Sequence, residues 1–136
     1  LDMTSLAYWG ASAGATTVLS IAYSSDDVGF SRPAPAVVVN YYGALISTTN
    51  MEPMEVPFFT IHGSLDTRVP YQDSLNLAAR ADDVGIPYTF YTEVGGGHGV
   101  SSSLTVRGTT ILDLTLDFIE AHIVGGIALY ETANID

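Results

Sequence analysis

The 136-residue chain carries 15 acidic residues against 4 arginines, with no lysine and no cysteine, for a net charge of −11. That charge repels nucleic-acid backbones and anionic membrane surfaces, and the lack of cysteine excludes disulfides, thiolate metal sites and a cysteine nucleophile. An apolar share of 47% and a mean hydropathy of +0.28, with no apolar run near the roughly 20 residues of a spanning helix, predict one domain over residues 1–136 with a real core.

The elements read in chain order as follows. Ser5 to Trp9 is a short strand that runs into Gly10-Ala11-Ser12-Ala13-Gly14. A buried helix follows from Ala13 to about Tyr23, with Val18, Leu19 and Ala22 at helical spacing. Ser24 to Ala36 is loop by its Ser, Asp, Gly and Pro content. Val37 to Tyr42 is a β-branched and aromatic strand ended by Gly43, and Ala44 to Val56 is a connection containing Pro53. Phe58 to His62 is a further strand, closed by Gly63. Pro70 to Val84 predicts a helix with Pro70 in its first turn, Leu75, Ala78 and Ala79 on one face, and Gly85 as terminator.

Tyr88 to Val94 is a fourth strand, followed by Gly95-Gly96-Gly97-His98-Gly99. Leu104 to Val124 reads as an amphipathic helix, with Leu112, Leu116, Ile119 and Ile123 opposite Asp113, Asp117 and Glu120. Ala128 to Asp136 is either a short extra strand or a tail. Strands that are continuous apolar runs and alternate with helices predict an α/β fold: a parallel sheet of about four strands, covered on both faces.

Ser12 has two readings. On a sharp strand-to-helix turn its hydroxyl is pushed out of the sheet, beside a helix N-terminus that favours negative charge. In an ordinary Gly/Ser turn it caps the following helix. A serine nucleophile needs a base, and the base needs an orienting carboxylate. Asp66 and His98 follow in that order, each just past the end of a strand, where open α/β sheets place their sites. Among the remaining candidates, His62 holds the loop carrying Asp66, and His122 is a surface or packing residue. Asp73, Asp82 and Asp83 form a solvated helix face. Asp26-Asp27 beside Ser24 and Ser25 is either a cation loop or simply solvated. Tyr42 and Tyr71 are candidates for the edge of an acyl pocket. No spacing of His and acidic residues suggests a catalytic metal, and no cofactor is expected.

The blocks YWGASAGA, PFFTIHGSLDTRVPY and YTEVGGGHG resemble the α/β-hydrolase superfamily, in its carboxylesterase and lipase branch. The resemblance covers the C-terminal half of that fold, from the nucleophile strand onward. It implies Ser12 as nucleophile, His98 as general base and acid, Asp66 as the residue orienting His98, and the Ala13 amide as one oxyanion donor. It implies hydrolysis of short-chain esters through an acyl-enzyme. A peptidase fits less well, because the peptidase branch commonly carries an aromatic where Ala13 stands.

Members of the superfamily have further strands and a helix before the nucleophile strand, and a loop that supplies a second oxyanion amide. Their lack here predicts a truncated sheet and a weakened oxyanion hole, at a cost of about 100- to 1,000-fold in turnover. It also predicts an exposed Ser5–Trp9 edge with three explanations: the chain is a fragment of a longer hydrolase, it pairs with a separate chain supplying the N-terminal half, or, the favoured expectation, it self-associates as a homodimer or other oligomer. The reading from a different class is a non-catalytic half-domain used for binding or assembly.

Overall fold

The apolar runs of the sequence form the centre of a sheet, and the segments between them fold over its two faces. The computed structural model describes residues 5–31, 33–124 and 131–135. Its elements are β1 (Ala7–Ala11), α1 (Ala13–Ser24), β2 (Val37–Tyr41), a 3-10 turn (Thr48–Asn50), β3 (Phe58–Gly63) and α2 (Tyr71–Val84). They continue as β4 (Tyr88–Glu93), β5 (Thr105–Val106), β6 (Thr109–Thr110), α3 (Ile111–Ile123) and β7 (Glu131–Ile135).

Five strands form one parallel sheet in the order β1-β2-β3-β4-β7. Every residue of β2 and β3 is buried, as strands covered on both faces require. Side-chain alternation sends Val38 and Phe58 to one face, where α1 and α2 close over them with Leu19, Tyr23, Leu77 and Ala81. Val37, Val39, Phe59 and Ile61 point the other way and meet Ile111 and Phe118 of α3. The helices thus lie on both sides of the sheet, as the sequence predicts. The fifth strand, β7, resolves the open reading of the terminal segment in favour of a strand; Ala128–Tyr130 and Asp136 lie outside the described residues.

Three helix expectations need correction. The helix expected from Leu104 begins at Ile111, because residues 105–110 form a β5–β6 hairpin. Arg107 (φ 49°) and Gly108 (φ 85°) make its turn, the left-handed pair that matches strand twist in a two-residue hairpin loop. Thr110 then caps α3, its hydroxyl oxygen accepting from the Asp113 amide at 3.0 Å. The buried stripe of α3 is Ile111, Thr115 and Phe118, whereas Leu112 and Leu116 face outward. Thr115 belongs in the core because its hydroxyl donates to the Ile111 carbonyl at 2.7 Å and lies 2.8 Å from the Tyr41 hydroxyl, so burial leaves nothing unsatisfied. On α2 the core face is Ser74, Leu77, Ala78 and Ala81, with Leu75 and Ala79 turned outward.

At the opposite end of the sheet, β1 pairs with β2 on one side only among the described residues. Its Trp9 is half-exposed and leans on Tyr41, with ring centroids 5.5 Å apart.

Candidate active site

The turn from β1 into α1 places Ser12 at φ 52°, a backbone conformation that side chains other than glycine seldom adopt. The turn is pinned on both sides: the Ser12 amide donates to the Tyr41 carbonyl at 2.8 Å, and the Thr16 amide donates to the Ser12 carbonyl at 3.0 Å. The capping reading fails, because the Ser12 side chain makes no cap hydrogen bond. Its Oγ lies instead 2.8 Å from Nε2 of His98. The two glycines of the motif differ. A Cβ on Gly10 would sit 2.4 Å from the Gly14 carbonyl, so the strand and helix can approach only if Gly10 has no side chain. A Cβ on Gly14 would meet nothing within 4 Å.

Asp66 follows β3 in a turn that its own carboxylate closes. Oδ1 accepts from the Arg68 amide at 2.8 Å and the Val69 amide at 3.0 Å, and Oδ2 accepts from Nδ1 of His98 at 2.8 Å. Burial alone would push the carboxyl up. The hydrogen bonds from His98 and the two amides, with the charge of His98, outweigh it and hold Asp66 below the ordinary carboxylate value. The loop bearing Asp66 is laced to the loop after β4: a Cβ on Gly63 would lie 2.4 Å from the carbonyl oxygens of Gly96 and Gly97. Leu65 donates to the Gly96 carbonyl at 2.8 Å, and Gly95 donates to the Ser64 hydroxyl at 2.8 Å.

His98 stands where these loops meet, its side chain 16% exposed. An ionised carboxylate only accepts, so Nδ1 carries the proton and Nε2 has its lone pair directed at the Ser12 hydroxyl. That tautomer suits a base that takes a proton from Ser12. The amide of Ala13 opens α1, among the first N–H groups that a helix leaves unpaired. Tyr42, itself at φ 46°, sets its ring edge-on to His98 at 5.1 Å.

Ser12, Ala13, Tyr42, Asp66 and His98 therefore come together. Tyr71 does not join them. Its hydroxyl bonds Thr92 at 2.7 Å, and its ring packs against His62 and Phe90, beneath the Asp66 turn. His62 is fully buried below the Asp66 turn, as its assignment to that loop requires. His122 packs on Phe118 with ring centroids 4.3 Å apart, and burial lowers its pKa. Among the described residues no group of His, Asp or Glu could hold a metal ion. One supporting residue escaped the sequence reading. Buried Asn40 accepts from the Gly43 amide at 2.8 Å and donates to the Thr60 hydroxyl at 2.9 Å, fixing the turn from which Tyr42 emerges. Its signal was an amide inside the apolar run Val37-Val38-Val39-Asn40-Tyr41.

The profile of the prolyl oligopeptidase family matches residues 29–125. No curated protein matches the chain by sequence. Among solved structures, an α/β hydrolase enzyme from a Medee basin deep-sea metagenome library aligns over 86% of this chain and 54% of its own, at 21% identity and a TM-score of 0.67. An acetyl ester-xyloside bifunctional hydrolase from Caldicellulosiruptor lactoaceticus aligns over 88% of this chain and 57% of its own, at 18% identity and a TM-score of 0.60. A puromycin-hydrolyzing peptidase of Mycobacterium tuberculosis aligns over 96% of this chain and 23% of its own, at 20% identity and a TM-score of 0.64. The chain thus spans 23% to 57% of the length of these structures, which share its fold.

Proposed function

Since the chain belongs to the prolyl oligopeptidase family of the α/β-hydrolase superfamily, we propose that it is a serine hydrolase of short-chain carboxylic esters. The observation that carries this reading is the unbroken contact from Ser12 Oγ through His98 to Asp66, at 2.8 Å on each side of the imidazole. In this reading Oγ of Ser12 attacks the ester carbonyl carbon while its proton passes to Nε2 of His98. Asp66 stays ionised and stabilises the imidazolium that forms. The Ala13 amide and the N-terminal dipole of α1 meet the developing oxyanion. Collapse of the tetrahedral intermediate breaks the ester C–O bond, and Nε2 returns the proton to the departing alkoxide. A water molecule then repeats the sequence on the acyl-enzyme, releases the carboxylic acid and restores Ser12. Tyr42 borders the acyl group beside His98.

Esters are favoured over peptides on two grounds. Ala13 is small where the peptidase branch commonly carries an aromatic, and an ester's better leaving group suits an oxyanion site for which Ala13 is the one assigned donor. Short acyl chains are favoured because the connection after β2 holds a single 3-10 turn, Thr48–Asn50, and no long insertion over the site. The family match favours a second reading, cleavage of peptide or aminoacyl amides.

The test compares hydrolysis of p-nitrophenyl acetate with that of aminoacyl p-nitroanilides, for the wild type and Ser12→Ala. Ester turnover that disappears in Ser12→Ala is the expected result; wild-type rates in that variant would reject the mechanism. Labelling with a fluorophosphonate separates an enzyme from a binding module, because only a competent Ser12 becomes phosphonylated.

A further inference from the structure

Two histidines approach Asp66, and the proposed mechanism uses one. His62 lies in β3 with no exposed surface, its Nε2 2.9 Å from the Val69 carbonyl oxygen and 3.2 Å from Oδ2 of Asp66. Its Nδ1 lies 2.7 Å from the hydroxyl of Ser74, itself buried in α2. A carbonyl and a carboxylate both only accept, so the Nε2 side must carry the proton. Neutral His62 then has a lone pair on Nδ1, which the Ser74 O–H satisfies. Every polar atom is consistent with this single arrangement: Ser74 donates to His62, and His62 donates to the Val69 carbonyl with Oδ2 of Asp66 alongside at 3.2 Å. A second proton on His62 would break it, because Nδ1–H would displace the hydroxyl proton of Ser74.

Oδ2 of Asp66 therefore accepts from His98 on the solvent side and lies 3.2 Å from the Nε2–H of His62 on the core side, close enough to feel its dipole although that proton is bonded to the Val69 carbonyl. The carboxylate accepts hydrogen bonds from His98 at Oδ2 and from the Arg68 and Val69 amides at Oδ1. The other titratable groups facing this chain are Tyr42, edge-on to His98, and Tyr71, edge-on to His62. We propose that His62 is a positioning residue for the triad: held as the neutral Nε2–H tautomer by Ser74, it fixes the rotation of the Asp66 carboxylate and draws off part of the charge that Oδ2 offers to His98. The serine and histidine below the carboxylate thus mirror the serine and histidine above it, without access to substrate. His62 sets how strong a base His98 is.

The chemistry gives the direction. Without the core-side donor, Oδ2 holds more negative charge for the imidazolium of His98, whose protonated form becomes more stable. In His62→Leu the titration of His98 moves upward, because the N–H dipole 3.2 Å from Oδ2 is gone. In His62→Gln, whose amide N–H reaches toward the same oxygen, it returns toward the wild-type value. Ser74→Ala removes only the tautomer lock and leaves the Nε2 donor in place, so it gives a smaller shift in the same direction.

The proposal rests on the triad geometry but not on ester turnover, so its test is read without substrate. The chain has three histidines, and 15N-resolved NMR titration follows each separately. In the wild type His62 shows the Nε2–H tautomer. An unchanged His98 titration in a folded His62→Leu protein, or a wild-type His62 protonated at Nδ1, overturns the proposal. If His62→Leu does not fold, the comparison of Ser74→Ala with wild type decides, and an equal His98 pKa in the two counts against it. Where esters are turned over, the acidic limb of kcat/KM moves with the NMR value. Absence of turnover with an intact His98 shift refutes the esterase reading and leaves the role of His62 standing.

Discussion

Gly10 and Gly14 flank the same serine, yet the structure asks opposite things of them. In Gly10→Ala the new Cβ lies 2.4 Å from the Gly14 carbonyl carbon and oxygen and 2.5 Å from the Ala15 nitrogen, all backbone atoms that no rotamer can move. Restoring ordinary contact near 3.4 Å displaces the start of α1 from β1 by about 1 Å. Unrelaxed, that displacement carries the 2.8 Å Ser12–His98 contact to about 3.8 Å, beyond hydrogen-bond range. Overpacking of this kind costs about 1–3 kcal/mol, and a misplacement of about 1 Å at the reacting atoms costs on the order of 100-fold in rate. Gly14→Ala meets open space inside a helix, where replacing glycine contributes about 0.5–1 kcal/mol. Thermal unfolding by circular dichroism and the rate of fluorophosphonate labelling measure both variants. Gly10→Ala is expected to melt lower and label about 100-fold more slowly, and Gly14→Ala to melt at or above the wild type. Equal effects from the two substitutions would refute the packing argument for the turn.

The acid side of the stability curve has two steps with known signs. Burial lowers the pKa of His122, so the stability it contributes is complete above the unfolded value of about 6.5 and declines as pH falls through the folded value. Asp66 and Glu131 are both held below the ordinary carboxylate range, against the upward push of burial, and their contribution is lost below about pH 4. Urea midpoints measured from pH 8 to pH 3 should show both steps, and His122→Leu should remove the first; an unchanged decline between pH 7 and pH 5 in that variant rejects the assignment. At the sheet edge, we propose that β1 pairs with β1 of a second copy, on the strength of half-exposed Trp9 and of pairing that, among the described residues, is on one side only. Sedimentation should then show a dimer that Trp9→Lys dissociates, whereas a wild-type monomer at tens of micromolar contradicts the pairing.

The strands and the order of Ser12, Asp66 and His98 were legible because both depend on local chemistry: β-branched runs bounded by glycine, and loops just beyond them. What stayed hidden depends on partners distant in sequence. Leu112 and Leu116 follow helical spacing as faithfully as Ile111 and Phe118, and only the position of Tyr41 decides that Thr115, rather than a leucine, turns inward. The hairpin at 105–110 is too short to show a period. Tyr71 is likewise placed by a residue far along the chain: Thr92, 21 positions on and in β4, bonds its hydroxyl. The need for Gly10 and not Gly14 is invisible in a motif that writes both as the same letter.

The strand order also has a consequence in time. Each parallel strand joins the edge that its predecessor has just made, so the sheet can grow in the direction of the chain without waiting for a distant segment. The candidate triad does not share that economy. Ser12 and His98 are separated by 86 positions, and His98 reaches Ser12 only from the loop that follows β4. Secondary structure and the Ser12–His98 contact should therefore return at different moments during refolding, with phosphonate reactivity, where the proposed function holds, the later of the two.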